Sequence, residues 1–550
     1  MQSSSSELLP KFGPSNRAAD PSWAVVPTNV EKPGAVDESL SRAIEESITA
    51  NYNDFATQAY ERPPLEECVR RDGRPVALRP TSATSVYAAL ALQALYFVPQ
   101  VRASVASWRP SSYDDDTNPH PPTDGHEYAM WSLLEMFSHM DLAVITEMNA
   151  DKLLKEFETE IPRLSDSPGE LTFSFLSNLT RIVETALHKD IATESHQWPR
   201  LFHFRYGFAD KEPNEGPFDS RLDSPVVRVD VHTDGTQPMD LVACLAKQLS
   251  LDIRQQVIFE PSAVVMFHLV RHETLPSYSS GPAQSRQRFR YPLHVYLDQF
   301  LKENVEVSAA KQQEQEEINE KILALRYKEG ELKRRNKTDV LKDLRSTLHY
   351  YEHVANKDDP MRRQTIDSMA MKLRKAVTRI ENEIETIDSQ IGKLQAQSAS
   401  IFDSPELKQH RYDLRAVLVH DGVLGRKHLY TYVNEGGTWW KTVDYEVTEV
   451  SEETVLTDSA GLHLNGGPYI LMYSRVLSDE QIKAPCSWPE ALKRKIKDNN
   501  RQFLSEVPPE AARLARHMSS GSSSPSQWDT PSSSVAAPSS PRGDPMDMSP

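Results

Sequence analysis

Cysteine is scarce: three in 550 residues, Cys68, Cys244 and Cys486, with no CxxC pair among them. That excludes a disulfide-framed fold and a thiolate zinc knuckle, and it suits a reducing compartment, the cytoplasm or the nucleus. Long apolar runs are also lacking. The most apolar stretch, Val86 to Val98, carries Gln93 and falls short of the roughly 18 to 20 residues a bilayer crossing needs, so it reads as a buried helix and no membrane association is expected. Met1 to Pro14 is Ser-rich and lacks the basic and apolar regions of a secretory signal, so export is not expected. Basic residues are in deficit, 62 Lys and Arg against 79 Asp and Glu for a net charge of −17. Nucleic acid is therefore not an expected partner, because neutralising phosphates needs a surplus of Lys and Arg. His120, His126, His203 and His232 are scattered without ligand spacing, and there is no HExxH helix or phosphate-binding loop, so neither a metal nor a cofactor is expected.

What is present is a chain long enough for two to four domains, with sharp shifts of composition. Residues 1–34 and the Ser/Pro-rich 519–550 are poor in core-forming residues and read as disordered. Within 35–52, Asp37 to Ile48 places Leu40, Ala43, Ile44, Ser47 and Ile48 on one helical face between acidic residues. Residues 68–300 combine helical patterns, notably about Glu127 to Ala192, with buried-strand patterns at Val226 to Val231 and Ala263 to Val270. From 301 to 400 the composition turns to Glu, Lys, Gln, Arg, Leu and Ile. Leu373, Val377, Ile380, Ile384, Ile387, Ile391 and Leu394 alternate by four and three, and Ile318, Ile322, Leu325 and Leu332 do the same before Pro360 interrupts. The spacing predicts a long antiparallel helical, coiled-coil arm. Such an arm either buries its own seam as a hairpin or joins two copies as a homodimer. Strand patterns return in 401–478, at Leu414 to His420, His428 to Val433, Trp439 to Tyr445 and Tyr469 to Tyr473, followed by a helical extension over 479–518. The arm thus interrupts one α+β domain.

Several segments carry a resemblance. Tyr412-Asp413-Leu414-Arg415-Ala416-Val417-Leu418-Val419-His420-Asp421-Gly422, then His428-Leu429-Tyr430-Thr431-Tyr432, Trp440-Lys441-Thr442-Val443-Asp444-Tyr445-Glu446-Val447 and Tyr469-Ile470-Leu471-Met472-Tyr473 resemble the His box of the ubiquitin-specific protease family in length and aromatic placement. Pro261 to Arg271 resembles that family's PPVLxFxLxRF strand, and Asp72-Gly73-Arg74-Pro75 resembles the approach to its Cys box. The nearest subgroup carries a helical arm inside the catalytic domain and ubiquitin-interacting motifs ahead of it. The resemblance covers about Cys68 to Arg475 and implies a papain-like cysteine protease fold, a deubiquitinase ancestry, and ubiquitin or polyubiquitinated proteins as partners. It also implies that Leu40, Ala43, Ile44, Ser47 and Ile48 cover an apolar patch on ubiquitin, a helix-in-groove contact in which Ala43 allows close approach.

The departures from the pattern are informative. In the family the nucleophile is a Cys at a helix N-terminus, where the dipole and a nearby imidazole favour thiolate. Here the stretch reads Ala77 to Gln93 without Cys. Anchoring on Leu92-Gln93 puts the nucleophile position at Val86, and anchoring on Asp72-Gly73 puts it at Ser85. His428 falls at the general-base position, flanked by Lys427 and Leu429 where the family has Gly and Tyr, and the orienting Asp or Asn falls on Val443, with Asp444 next to it. The family's QQDxxEF segment aligns with Glu170 to Phe175 and loses most of its polar side chains. The resemblance thus implies a catalytically impaired homologue acting as a ubiquitin-binding scaffold or regulator. A second reading is an active deubiquitinase in which Ser85 attacks the isopeptide carbonyl with His428 as base. A third makes the arm an assembly device.

Overall fold

Buried-helix composition shapes the first part of the fold. The computed structural model describes residues 63–71, 73–111, 121–157, 167–188, 200–208, 223–231, 240–248, 256–271, 289–335, 338–355, 359–421, 428–458 and 466–512. The segments 1–34, 35–52 and 519–550 read from the sequence lie outside them, as do Leu40, Ala43, Ile44, Ser47 and Ile48. Strand β1 (Ala77–Arg79) leads to a single 3-10 turn, capped by the Ser82 hydroxyl accepting from Thr84 N, and then to helix α1 (Val86–Tyr96). All eleven residues of α1 are buried, as expected for a helix that is apolar all round. Helices α2 (Pro99–Ser107) and α3 (Gly125–Leu142), strand β2 (Glu147–Asn149), and helices α4 (Asp151–Phe157) and α5 (Pro168–His188) follow. Strand β2 pairs with β1 in parallel.

Next come β3 (Phe204–Phe208), β4 (Asp223–Ser224), β5 (Val226–Val231), helix α6 (Leu241–Gln248), β6 (Gln256–Glu260), β7 (Val264–Arg271) and β8 (His294–Tyr296). The arm is α7 (Val305–Lys333), a short ladder of β9 (Arg334–Arg335) with β10 (Thr338–Asp339), α8 (Val340–His349) and α9 (Pro360–Ser400). Pro360 begins α9, with the Asp359 carboxylate capping it, so this proline is a helix start: its missing N–H is no loss in the first turn. Strands β11 (Arg411–His420), β12 (Leu429–Glu435), β13 (Thr438–Val443) and β14 (Glu446–Val450), helix α10 (Glu452–Thr457), β15 (Gly467–Arg475), and helices α11 (Asp479–Lys483) and α12 (Glu490–Glu506) complete the described chain.

An eight-stranded sheet organises these elements in the order β14-β13-β12-β11-β15-β7-β5, with β8 added beside β11. Only its β5–β7 edge is parallel. Strand alternation divides the sheet's side chains between two cores. Leu429, Val433 and Trp440 join α1 and α5 on one face, while Tyr430, Tyr432 and Trp439 join Leu245 and Phe300 on the other. Strands β4, β3 and β6 form a separate antiparallel sheet in that order.

In the arm, α7 and α9 run antiparallel. Lys311 Nζ donates to Ile401 O at 2.8 Å, and further out Lys328 pairs with Glu383 at 3.0 Å. Ile318 and Ile322 pack with Ile387 and Ile391, so this stretch of the heptad stripe is buried within the chain. At the root, the carboxylate of Asp298 accepts from His410 N at 2.9 and 3.1 Å and from its ring Nδ1 at 2.6 Å. Asp298 is 1% exposed, and this bonding satisfies it. It ties the start of the arm to its end.

Candidate active site

The three positions that the resemblance would make catalytic fall on three elements. Ser85 closes the 3-10 turn and stands at the N-cap position of α1 without a side-chain capping bond, and Val86 is the first helical residue. A helix N-terminus stabilises an anion, which is why a thiolate suits this place. Val86 instead contributes an isopropyl group, 3% exposed, to the core it shares with Leu429 and Trp440. Ser85 is 9% exposed. The three thiols lie elsewhere: Cys68 beside Pro63, Cys244 on α6, and Cys486 near Arg102 and Asp141, where burial pushes its thiol pKa up.

Helix α1 is fixed to β13 by Gln93, whose Nε2 donates to Thr442 Oγ1 at 3.1 Å and to Val76 O at 3.2 Å. Thr442 therefore faces α1. By alternation Val443 faces the other way, packs in the second core and pairs with Tyr430 across the ladder. Asp444 returns to the α1 side. It takes a left-handed conformation, φ 55°, as the first of two residues turning into β14, and its carboxylate lies 3.4 Å from Arg79 Nε. The Arg79 guanidinium also sits 5.2 Å from the centre of the Tyr445 ring. The β13–β14 turn is thereby held to β1, immediately ahead of Ser82 to Val86. Burial, and then the charge of Asp444, push the nearby Glu147 carboxyl pKa up.

His428 stands just before β12. Its Nδ1 is 2.6 Å from Asp421 Oδ2, and Asp421 N donates to His428 O at 3.0 Å. Asp421 was not singled out in the sequence, yet the pairing carries the signal: with His420 opposite Leu429, the next pair outward is Asp421 with His428. Directly opposed residues put their Cβ atoms about 5 Å apart on one face, within reach of a carboxylate and an imidazole. Both side chains are 33% exposed. Within β12, Tyr430 and Tyr432 both donate to Asp458 Oδ2, at 2.6 and 2.8 Å, and Lys441 Nζ lies 4.1 Å from the Tyr430 ring centre. Burial and Asp458 keep both phenols protonated.

The segment Glu170 to Phe175 opens α5. Glu170 pairs with Arg228 at 2.6 Å, and the Phe173 ring packs 5.6 Å from the buried His268 ring. A Cβ on Gly169 would come 2.5 Å from His268 Nε2, so the glycine is what lets α5 lie flat on β7. Burial first, then Arg228 and Arg271, push His268 down to about 4. Among the described residues, no group of His, Cys, Asp and Glu is assembled to hold a metal ion, and no helix is long and apolar enough to cross a membrane.

Residues 81–473 match the family described as ubiquitin carboxyl-terminal hydrolase, and the chain belongs to that family, with its papain-like α+β domain. Among curated relatives, it is 25% identical over 197 residues to ubiquitin carboxyl-terminal hydrolase 2 of Saccharomyces cerevisiae, covering 35% of this chain and 15% of that protein. It is 31% identical over 142 residues to ubiquitin carboxyl-terminal hydrolase 28 of Mus musculus, covering 23% of this chain and 14% of that protein. The matches thus span a small part of the relatives' length.

Proposed function

We propose that this protein is a catalytically impaired member of the family that binds ubiquitin or polyubiquitinated proteins and acts as a scaffold or regulator in deubiquitination. The observation that carries the reading is at the start of α1, where the family's nucleophile position holds Ser85 or the core-packed Val86. A valine has no attacking atom, and a serine needs a site built to deprotonate it. Removing the nucleophile of a serine protease costs on the order of a million-fold in kcat. The Arg79 contact that engages Asp444, and the apolar packing of Val443, support the same reading.

Ubiquitin binding is assigned to Leu40, Ala43, Ile44, Ser47 and Ile48, and the cytoplasm or nucleus is the proposed location. A single helix of this kind binds weakly and exchanges fast. Ala43→Arg is expected to remove most of the ubiquitin-induced NMR shifts; an unchanged titration would refute the assignment. The second reading, Ser85 as nucleophile with His428 as base, is favoured by one observation, the Asp421 hydrogen bond to the imidazole. Release of a fluorophore from the ubiquitin C-terminus decides between the two, with His428→Ala alongside. No turnover with ubiquitin still bound supports the impaired reading, and His428-dependent turnover reinstates the enzyme.

A further inference from the structure

Resting on the reading of His428 as the family's base position, we infer that Asp421 is the positioning residue for this histidine. An ionised carboxylate can only accept hydrogen bonds, so the 2.6 Å contact to Nδ1 requires that nitrogen to carry the proton. In the neutral imidazole Nε2 then carries the lone pair, which is what a general base needs. The contact is fixed by the backbone. The β11–β12 ladder, paired at His420 and Leu429, is extended one step by the Asp421 N to His428 O bond, which places the two side chains opposite each other on one face. On the other side of the hairpin, β12 is anchored through Tyr430 and Tyr432 to Asp458, so the strand carrying the imidazole has little freedom to slide. In a chain whose family pattern would place the orienting group at Val443, the same task falls to a residue on the neighbouring strand. The departure from the family pattern then weighs most at the nucleophile end, where Ser85 or Val86 stands in place of Cys, while the imidazole keeps an orienting carboxylate.

The test is nitrogen-15 NMR of the full chain labelled in histidine, with the His428 signals identified by their loss in His428→Ala. The Nδ1–H tautomer is expected to dominate in the wild type. Asp421→Ala should abolish that preference. Asp421→Asn preserves the shape while its amide can accept or donate, and should mix the two tautomers. Unchanged tautomer populations in both variants would overturn the inference. A residue that merely staples the hairpin would lower the melting temperature without moving the tautomer ratio. Ser85→Cys and Val86→Cys supply a second readout. If either turns over a ubiquitin-fluorophore substrate, adding Asp421→Ala should lower kcat at least tenfold with KM little changed, and equal kcat would count against Asp421. Ubiquitin titration of the same wild-type sample reads the proposed function separately. Lost binding with an intact tautomer preference defeats that function alone, and retained binding with an indifferent tautomer defeats the positioning role alone.

Discussion

The body of the protein and its arm are built on opposite terms. In the body, all eleven residues of α1 are buried between the sheet and α5. In the arm, α9 is 41 residues long and buries six: Ile366, Ala370, Val377, Ile384, Ile387 and Ile391. Its remaining contacts include exposed ion pairs such as Arg345 with Glu381 and Lys328 with Glu383. The difference teaches where stability resides. A helix enclosed on every side is sensitive to single methylenes, because interiors pack like crystals, whereas a two-helix stripe depends on a narrow apolar seam aided by salt-screened charges.

The sharpest way to expose that contrast is to hollow out the body. Phe137, fully buried against Tyr96, should cost about 3–5 kcal/mol on Phe137→Ala, read as a lower urea midpoint for the sheet's tryptophans. Acid should act on the body next. An unfolded imidazole titrates near 6.5, and His268 is held at about 4, so the unfolded chain takes up the proton first as pH falls. Stability should therefore decline between roughly pH 6.5 and 4 and level off below, by about 3 kcal/mol from this residue. His420, also pushed down to about 4 by burial and by Arg271, acts in the same direction. His268→Leu should flatten the slope, and an unaltered pH profile would contradict the buried, neutral assignment. In the arm, Ile387→Ala should cost about 2 kcal/mol, at the low end for a buried aliphatic because the seam is thin. Hydrogen exchange should show the loss in α7 and α9 while the sheet stays protected; equal loss in the sheet would show that arm and body unfold together. Smallest of all, Arg345→Ala should change stability by less than about 1 kcal/mol, and less still in high salt.

Much of the body was legible in the sequence. Val226 to Val231 is read as a strand and is one, and the apolar stretch from Val86 is an enclosed helix, because continuous apolar runs have few other solutions. Heptad spacing likewise located the long helices α7 and α9. Less legible was the break between α8 and α9. Pro360 reads as an interruption, but a proline at a helix start and one at a helix break look alike until the cap at Asp359 is seen. At the site, spacing proposes His428 and leaves Ser85 and Val86 as alternatives, since aligning a motif gives positions but no partners. The partner of His428 was missed for a physical reason. A cross-strand hydrogen bond depends on register, and register is settled by a whole ladder of pairs such as Ala416 with Val433, not by the residues near the histidine.

One feature of the sheet bears on how such a chain can change over generations. The backbone leaves the sheet after Tyr296 and rejoins it at Arg411, and these two residues are ladder partners, with Asp298 and His410 bound to each other just outside. A detour whose ends already touch can be lengthened, trimmed or exchanged without shifting a strand, because closing a shorter loop changes only a modest entropy. The arm is in this sense a cassette. A version in which a tight turn joins β8 directly to β11 would be a hairpin of an ordinary kind, and its folding would show whether the body was ever more than lightly indebted to the helices it carries.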